Sequence, residues 1–311
     1  MKKLLITGAA GFLGRTFSRY FSRKGWQVFG IDKISEAEAP LADLKTYVNL
    51  ELPHPNFLEI LRVWKPDACI HAAGRASVPL SMQDPASDFS EGPALTFYVL
   101  DMIRQYCPQC SFVYLSSAAV YGNPLSLPVQ ENQLLQPISA YGYHKWQSEI
   151  LCEEFSRLFG VKTASARLFS AYGPWLRRQV LWDICYKAAV EKEVVLQGTG
   201  IESRDFIHSL DIALALETII NSAPLQGEAY NVASGQETNI FHLSQMIIRS
   251  LGIPIIPKFS GSLPEGTPLN WCADISKISA LGFSPEIALE DGIKHYVAWF
   301  ENTIRERGDS G

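Results

Sequence analysis

The chain has 311 residues, 47% of them hydrophobic and 19% charged, the make-up of an ordinary globular protein able to bury a substantial core. A net charge of −5 excludes general attraction to a polyanion, so no nucleic-acid partner is expected and any nucleotide must be held by local donors. Met1–Ile6 opens like a signal peptide, but Gly8, Gly11, Gly14 and Arg15 then break up the apolar stretch, and no run of about 18 apolar residues follows. A cytoplasmic protein with no membrane contact is the expectation.

In chain order, short β-rich runs alternate with helical stretches. Lys3–Thr7 and Gln27–Ile31 read as strands around a helix over Phe12–Arg23, and Tyr47–Leu50, Ala68–His71 and Ser111–Leu115 read as further strands. Helical patterns cover Asn56–Val63, Asp88–Gln105 and the long stretch Ala140–Phe159, with another strand at Thr163–Leu168. Strands separated by helices imply right-handed βαβ units, hence an α/β fold with a doubly wound parallel sheet. Past Gly173-Pro174 the pattern loosens into short elements with Pro/Gly turns such as Gly261–Pro264 and Glu265–Pro268. The expected division is a nucleotide-binding unit at 1–173, to which 205–232 returns, and a smaller C-terminal α/β lobe at 174–204 and 233–311. Trp271 and the Leu281–Phe283 region are expected in the core of that lobe.

Six cysteines are scattered through the chain. Cys107-Pro-Gln-Cys110 has CxxC spacing, but no second CxxC or HxxxH completes a tetrahedral metal site, and the pair precedes a strand rather than a helix. No metal is expected, and the two read as turn cysteines in a reducing compartment.

Strand one ends in TGAAGFLG (7–14), a GxxGxxG pattern that leads into a helix. Gly8 permits the tight turn, Gly11 lets a pyrophosphate approach the backbone, and Gly14 allows close helix–strand packing. The free N–H groups of the opening turn, with Phe12 and Leu13, face the phosphates. Asp32 lies 18 residues beyond Gly14, at the end of strand two. A carboxylate there accepts both ribose hydroxyls and repels a 2′-phosphate, so NAD is favoured over NADP, with Lys33 weakening the preference slightly.

Tyr141 and Lys145, in YGYHK (141–145), stand at i and i+4, one turn apart on a helix face. A tyrosine is a poor base at neutral pH, and a neighbouring ammonium lowers its pKa enough for acid–base work. Ser117, at the C-terminal end of the strand from Ser111, is placed where open α/β sheets bind ligands and can orient the reacting oxygen. His71 and His208 read as packed core histidines.

Together with IHAAG (70–74), LSSAAVYG (115–122), RLFSAYGP (167–174), RDFIHSLD (204–211) and YNVASG (230–235), these motifs resemble, in order and over nearly the whole chain, the extended short-chain dehydrogenases of the NAD-dependent epimerase/dehydratase family, which act on nucleotide sugars through a Rossmann domain. The resemblance implies that Ala72, Ala73 and Gly74 line the adenosine side of NAD, and that Asn49 and Leu50 stand where relatives touch adenine with an Asp-hydrophobic pair. It implies that Tyr141 takes the proton of a sugar hydroxyl while the nicotinamide takes the hydride, with Lys145 bridging the nicotinamide ribose. It also implies a homodimer through the helices near 88–105 and 140–159, which carry Leu95, Tyr98, Val99, Met102, Trp146 and Ile150. The family pattern is departed from at several positions. Ala118 and Ala119 replace the acidic pair of dehydratases, Ser170 replaces a substrate-binding Asn, and Gly92 replaces an Asn that braces the catalytic helix. Pro264–Thr267 lacks a phosphate-binding arginine, for which Arg177 and Arg178 are candidate replacements. Arg204 is a further substrate candidate, unless it pairs with Asp205 or Asp211. The implied activity is epimerisation of a nucleotide sugar, at C4, through a transient keto sugar. A keto-sugar reductase or dehydrogenase with net redox would use the same residues, and a non-catalytic NAD-binding regulator is the third reading.

Overall fold

The computed structural model describes residues 1–35, 46–263 and 268–308; the stretch Pro264–Thr267 lies outside them. Along the chain run β1 (Lys3–Thr7), β2 (Gln27–Asp32), β3 (Thr46–Asn49), β4 (Ala68–His71), β5 (Ser111–Ser117) and β6 (Thr163–Leu168). After them come β7 (Ser170–Tyr172), β8 (Val195–Leu196), β9 (Ser203–His208), β10 (Gln226–Val232), β11 (Glu237–Asn239) and β12 (Lys258–Phe259). The helices of the first half are α1 (Phe12–Arg23), α2 (Asn56–Trp64), α3 (Val78–Gln83), α4 (Pro85–Phe89), α5 (Leu95–Tyr106) and α6 (Ala140–Phe159). Those of the second half are α7 (Gln179–Tyr186), α8 (Ser209–Ser222), α9 (Ile240–Ser250), α10 (Ser276–Ser279) and α11 (Leu289–Gly308).

Seven strands form one parallel sheet in the order β10-β6-β5-β4-β1-β2-β3. β4 and β6 are buried at every position, as strands covered by helices on both faces must be. On one face α1 and α8 close a core of Leu4, Ile6, Phe17, Phe21, Val113, Ile212 and Leu216. On the other, α2, α5 and α6 contribute Phe57, Leu61, Val99, Ile103, Cys152 and Phe155. A third core joins α7, α9 and α11 through Leu181, Ile184, Leu243, Ile247, Tyr296 and Phe300. The strand order reverses direction at β1 and β4, the place where doubly wound sheets open a crevice at their C-terminal ends.

Several elements depart from the sequence expectation. β5 runs on to Ser117, so Ser116 and Ser117 are strand residues. The helix expected over Asp88–Gln105 is broken by a π-helical turn at Ser90–Ala94, where Pro93 cannot donate to the ladder. Ser203–His208 pairs with β7 and β11 in a separate three-stranded sheet, whereas β10 adds to β6 in the main one. Phe283 packs into the main core beside Ile278, not into the C-terminal core. Trp271 borders a small cluster with Val120 and Phe169.

Candidate active site

The turn after β1 is shaped by its glycines. Gly8 has φ +74°, and a Cβ on it would lie 2.6 Å from the Ala72 carbonyl group. A Cβ on Gly14 would meet the Gly8 carbonyl oxygen at 2.1 Å, so only glycine lets α1 start this close to β1. Gly11 stands at the N-cap of α1 in extended conformation and leaves the opening turn, Phe12, Leu13 and Gly14, without a side-chain cap. The opening turn thus presents backbone donors at the N-terminus of a 12-residue helix, and its residues fit the phosphates of a dinucleotide.

Asp32 ends β2 beside that turn. Its Oδ2 accepts the Ala10 N–H at 2.9 Å and its Oδ1 the Ile34 N–H at 3.2 Å. The Asn49 amide donates to the Asp32 carbonyl at 3.3 Å, so it is tied to the backbone of β2, and the Leu50 N–H donates to the same oxygen at 2.8 Å. Lys33 faces Glu91 at 3.5 Å and Glu51 at 4.0 Å. Ala72 and Ala73 follow β4, donating to the Thr7 carbonyl and hydroxyl, and Gly74 turns at φ +123° against the Glu91 carbonyl. Arg15, which the sequence marked only as a break in the apolar opening stretch, bonds the Ala10 carbonyl at 2.8 Å. Its pKa is lowered by burial and by Arg177, against the pull of Asp32.

Ser117, Tyr141 and Lys145 come together where β5 ends and α6 begins. Ser139 caps α6 by accepting the Gly142 N–H, and Gly160 ends the helix at φ +69°. The Tyr141 N–H donates to Ser81 Oγ at 3.0 Å, and Ser117, whose Oγ accepts the Ala119 N–H at 3.2 Å, stands beside the Tyr141 side chain. Lys145 Nζ donates to the Leu115 carbonyl at 2.8 Å and lies 5.6 Å from the Tyr141 ring centre. Burial raises the Tyr141 pKa, while Ser117 and the Arg178 charge pull it down. Arg178 thus adds a second cation near this phenol, beside the Lys145 ammonium over its ring. Burial lowers the Lys145 pKa to about 8, against Asp88 and Glu149, which raise it.

Glu149, one turn beyond Lys145, is buried. It accepts from Ser116 Oγ at 2.5 Å and from Arg167, whose Nη2 approaches at 2.7 Å. Arg167 also bonds the Tyr121 hydroxyl at 2.8 Å, and that hydroxyl donates to Asn231. Sequence reasoning missed this network, although Ser116, Glu149 and Arg167 all lie inside or beside motifs it singled out.

The substrate candidates divide. Arg178 stands at the N-cap position of α7 between Trp175 (φ +73°) and Gln179 (φ +66°), two left-handed non-glycine residues of the kind that gather at functional sites. Gln179 also lines a cavity of about 580 Å³ with Val180, Trp182, Leu196, Gln197 and Arg204. Arg177 lies over the Trp299 ring at 5.9 Å, and Ser170 sits half-buried on β7. Arg204 pairs with neither Asp205 nor Asp211. Its guanidinium donates to the carbonyls of Ser203, Pro268 and Leu269, and burial lowers its pKa to about 10. Asp205 instead accepts backbone N–H groups of Ser234, Gly235 and Ala273, and Asp211 those of Glu286 and Ile287. A larger cleft of about 850 Å³, floored by Glu149 and Arg167, includes neither Tyr141 nor Lys145.

His71 and His208 are core histidines as expected, and burial lowers their pKa to about 3 and about 4. Cys107 Sγ donates to the Leu61 carbonyl, and burial raises both Cys107 and Cys110. Among the described residues no group of three or more His, Cys, Asp or Glu side chains could hold a metal ion, and no helix is long and apolar enough to cross a membrane.

Comparison with known proteins agrees with this layout. The chain is 28% identical to a putative UDP-glucose 4-epimerase of Methanocaldococcus jannaschii, over 97% of this chain and 99% of that one. It is 27% identical to the UDP-glucuronate 4-epimerase of Thermodesulfobacterium geofontis, over 96% of each. Its fold superposes at TM-score 0.88 on the UDP-N-acetylglucosamine 4-epimerase of Methanobrevibacter ruminantium M1, solved with UDP-N-acetylmuramic acid, at 25% identity over 97% and 99% of the two chains. The model of the NAD-dependent epimerase/dehydratase family matches residues 4–233, and the chain belongs to that family.

Proposed function

We propose that this protein is an NAD-dependent epimerase that inverts a hydroxyl-bearing carbon, C4, of a nucleotide sugar through a transient keto sugar. The observation that carries it is the meeting of Ser117, Tyr141 and Lys145 at the C-terminal end of β5, beside the glycine cradle at the strand-order reversal. The chain's own residues divide the work. Phe12, Leu13 and Gly14 offer backbone donors to the pyrophosphate, which Gly11 lets approach the backbone, Asp32 accepts from the ribose, and Ala72–Gly74 line the adenosine side. Asp32 disfavours a 2′-phosphate, which selects NAD over NADP. When bound, the nicotinamide supplies a hydride acceptor that can return what it takes. Tyr141 takes the sugar hydroxyl proton at its Oη and gives it back, while Ser117 orients that hydroxyl. The Lys145 ammonium favours the phenolate once the site is filled.

The cavity beside α7 takes the nucleotide end of the substrate, and its volume of about 580 Å³ is in the range of a small-molecule pocket. Arg178 then faces the sugar side, and Ser170 and Arg177 flank the diphosphate. Arg204 shapes the cavity wall through the 268–269 backbone. Ala118 and Ala119, both buried, move no proton, which favours an epimerase over a dehydratase. The cysteines are free thiols, in keeping with a reducing cytoplasm.

The deciding experiment releases any cofactor from freshly purified protein by denaturation and identifies it by mass spectrometry, followed by incubation with pairs of UDP-sugar epimers. Co-purified NAD and interconversion without added cofactor support the epimerase. An empty site, with turnover only when NADH or NADPH is supplied, gives a net-redox enzyme instead. In the active protein Tyr141→Phe should cut turnover by about 10² or more while cofactor still binds.

A further inference from the structure

A hydrogen-bonded pair between α4 and α6 has no task in the scheme above. Asp88 on α4 is 3% exposed, and its Oδ2 lies 2.5 Å from Nδ1 of His144 on α6. A carboxylate at that depth is stable only with a partner. His144 falls between Tyr141 and Lys145 in sequence, one turn after the tyrosine. Its ring meets Phe89 edge-on at 5.6 Å. Across from it Gly92 carries no side chain, and a Cβ there would reach His144 Cβ at 3.9 Å. The turn that follows Asp88 is the π-helical one, a distortion frequent at functional sites. Among the described residues three other hydrogen bonds tie α6 to these helices, the Ala140 N–H to Met82 Sδ at 3.5 Å, the Tyr141 N–H to Ser81 Oγ and the Thr96 hydroxyl to Ser148 Oγ at 3.4 Å.

We propose that Asp88 and His144 form a positioning pair that locks the opening turns of α6 against α4 and thereby sets where Tyr141 and Lys145 stand relative to Ser117. This rests on the reading of Tyr141 and Lys145 as the reacting pair. Neither member of the positioning pair is placed against substrate; both act through α6. The charged and titratable groups around it are Tyr141, Lys145 and Glu149 on α6, His71 on β4 beside Lys145, and Arg178 near Tyr141. Glu91, on the next turn, is engaged by Arg75 and Lys33. The Asp88 charge acts on both Tyr141 and Lys145, raising each.

Two variants test the pair. Asp88→Asn keeps an acceptor of the same shape and removes the charge; His144→Phe keeps the ring contact with Phe89 and removes the bond. Three quantities are read: kcat and KM, amide hydrogen exchange over 140–147, and the pH midpoint for labelling of Lys145 by an amine-reactive reagent. The expected result for His144→Phe is faster exchange in those turns and a kcat about 10-fold lower, with KM within about twofold. For Asp88→Asn the Lys145 midpoint should fall by roughly half a unit, because a nearby negative charge has gone. The double variant should be no worse than the poorer single one. Exchange, kcat and midpoint all unchanged in both variants would overturn the proposal. So would a loss of stability alone, with the midpoint unmoved in Asp88→Asn. If His144→Phe does not fold, Asp88→Asn decides. A Tyr141→Phe protein that keeps its turnover refutes the catalytic reading instead, while the exchange data still judge the brace.

Discussion

At the scale of single residues the electrostatics of Lys145 make a direct claim about pH. Packing disfavours its charged form and brings the pKa to about 8. The ammonium is therefore present below that pH and is lost as pH rises through it. If the cation supports the Tyr141 phenolate, kcat should fall on the alkaline side with a limb near pH 8, as a pH profile at saturating substrate would reveal. A rate still climbing beyond that point would remove the ammonium from the mechanism. Gly14 makes a steric claim. A methyl at that position meets the Gly8 oxygen at 2.1 Å, so Gly14→Ala must push α1 off β1, costing about 1–3 kcal/mol. Cofactor affinity, measured by titration calorimetry, should drop with it, and unchanged binding would mean that the turn yields more easily than its contacts imply. These residues were legible in the sequence because their roles follow from local spacing: three glycines at a strand–helix junction, a carboxylate at the next strand end, a tyrosine and a lysine one turn apart. The partners of Arg15, Arg178 and Asp88 were not, because which distant segment a side chain meets is set by the fold rather than by local spacing.

At the scale of elements, α6 is held from two sides. Ser116, Glu149 and Arg167 join it to β5 and β6 under the sheet's C-terminal ends, and Tyr121 and Asn231 extend the network toward β10. Removing one partner leaves the other charge buried and unpaired. Arg167→Met should destabilise the protein by about 3–5 kcal/mol in denaturant unfolding, far more than the loss of an exposed pair such as Lys258–Glu193. A loss as small as the exposed pair's would show that Glu149 finds a new partner. The limits of α6 could be read in the sequence because apolar periodicity coincides with Ser139 before it and Gly160 after it, and the start of α1 because it follows the glycine turn. The break between α4 and α5 was hidden because Pro93 sits inside an otherwise continuous helical pattern, and tertiary packing decides whether such a helix kinks or ends.

At the scale of the molecule, α5 and α6 offer a surface for self-association, though not through all the residues the resemblance suggested. Leu95 and Val99 are buried in the chain's own core, Tyr98 packs on Phe57, and Trp146 borders the small cluster under Phe169. Exposed apolar side chains on α5 and α6 include Phe97, Tyr143 and Ile150. We propose that these, rather than the buried set, form the centre of a homodimer. Phe97→Glu should then yield a monomer in sedimentation velocity without loss of fold, whereas a wild-type monomer would discard the dimer.

The path of the chain between its two larger sheets has a consequence for how such a protein can be altered. It leaves the seven-stranded sheet after β6 and re-enters it with α8 and β10, only to depart again for β11. A cut at residue 173 would strip the parallel sheet of its outermost strand and of a helix that seals one face. The part that surrounds the cavity beside α7 therefore cannot be exchanged as a cassette between relatives by joining gene segments at one point. New preferences have to be acquired in place, by replacing side chains in turns such as 175–179 while the thrice-crossed scaffold stays whole.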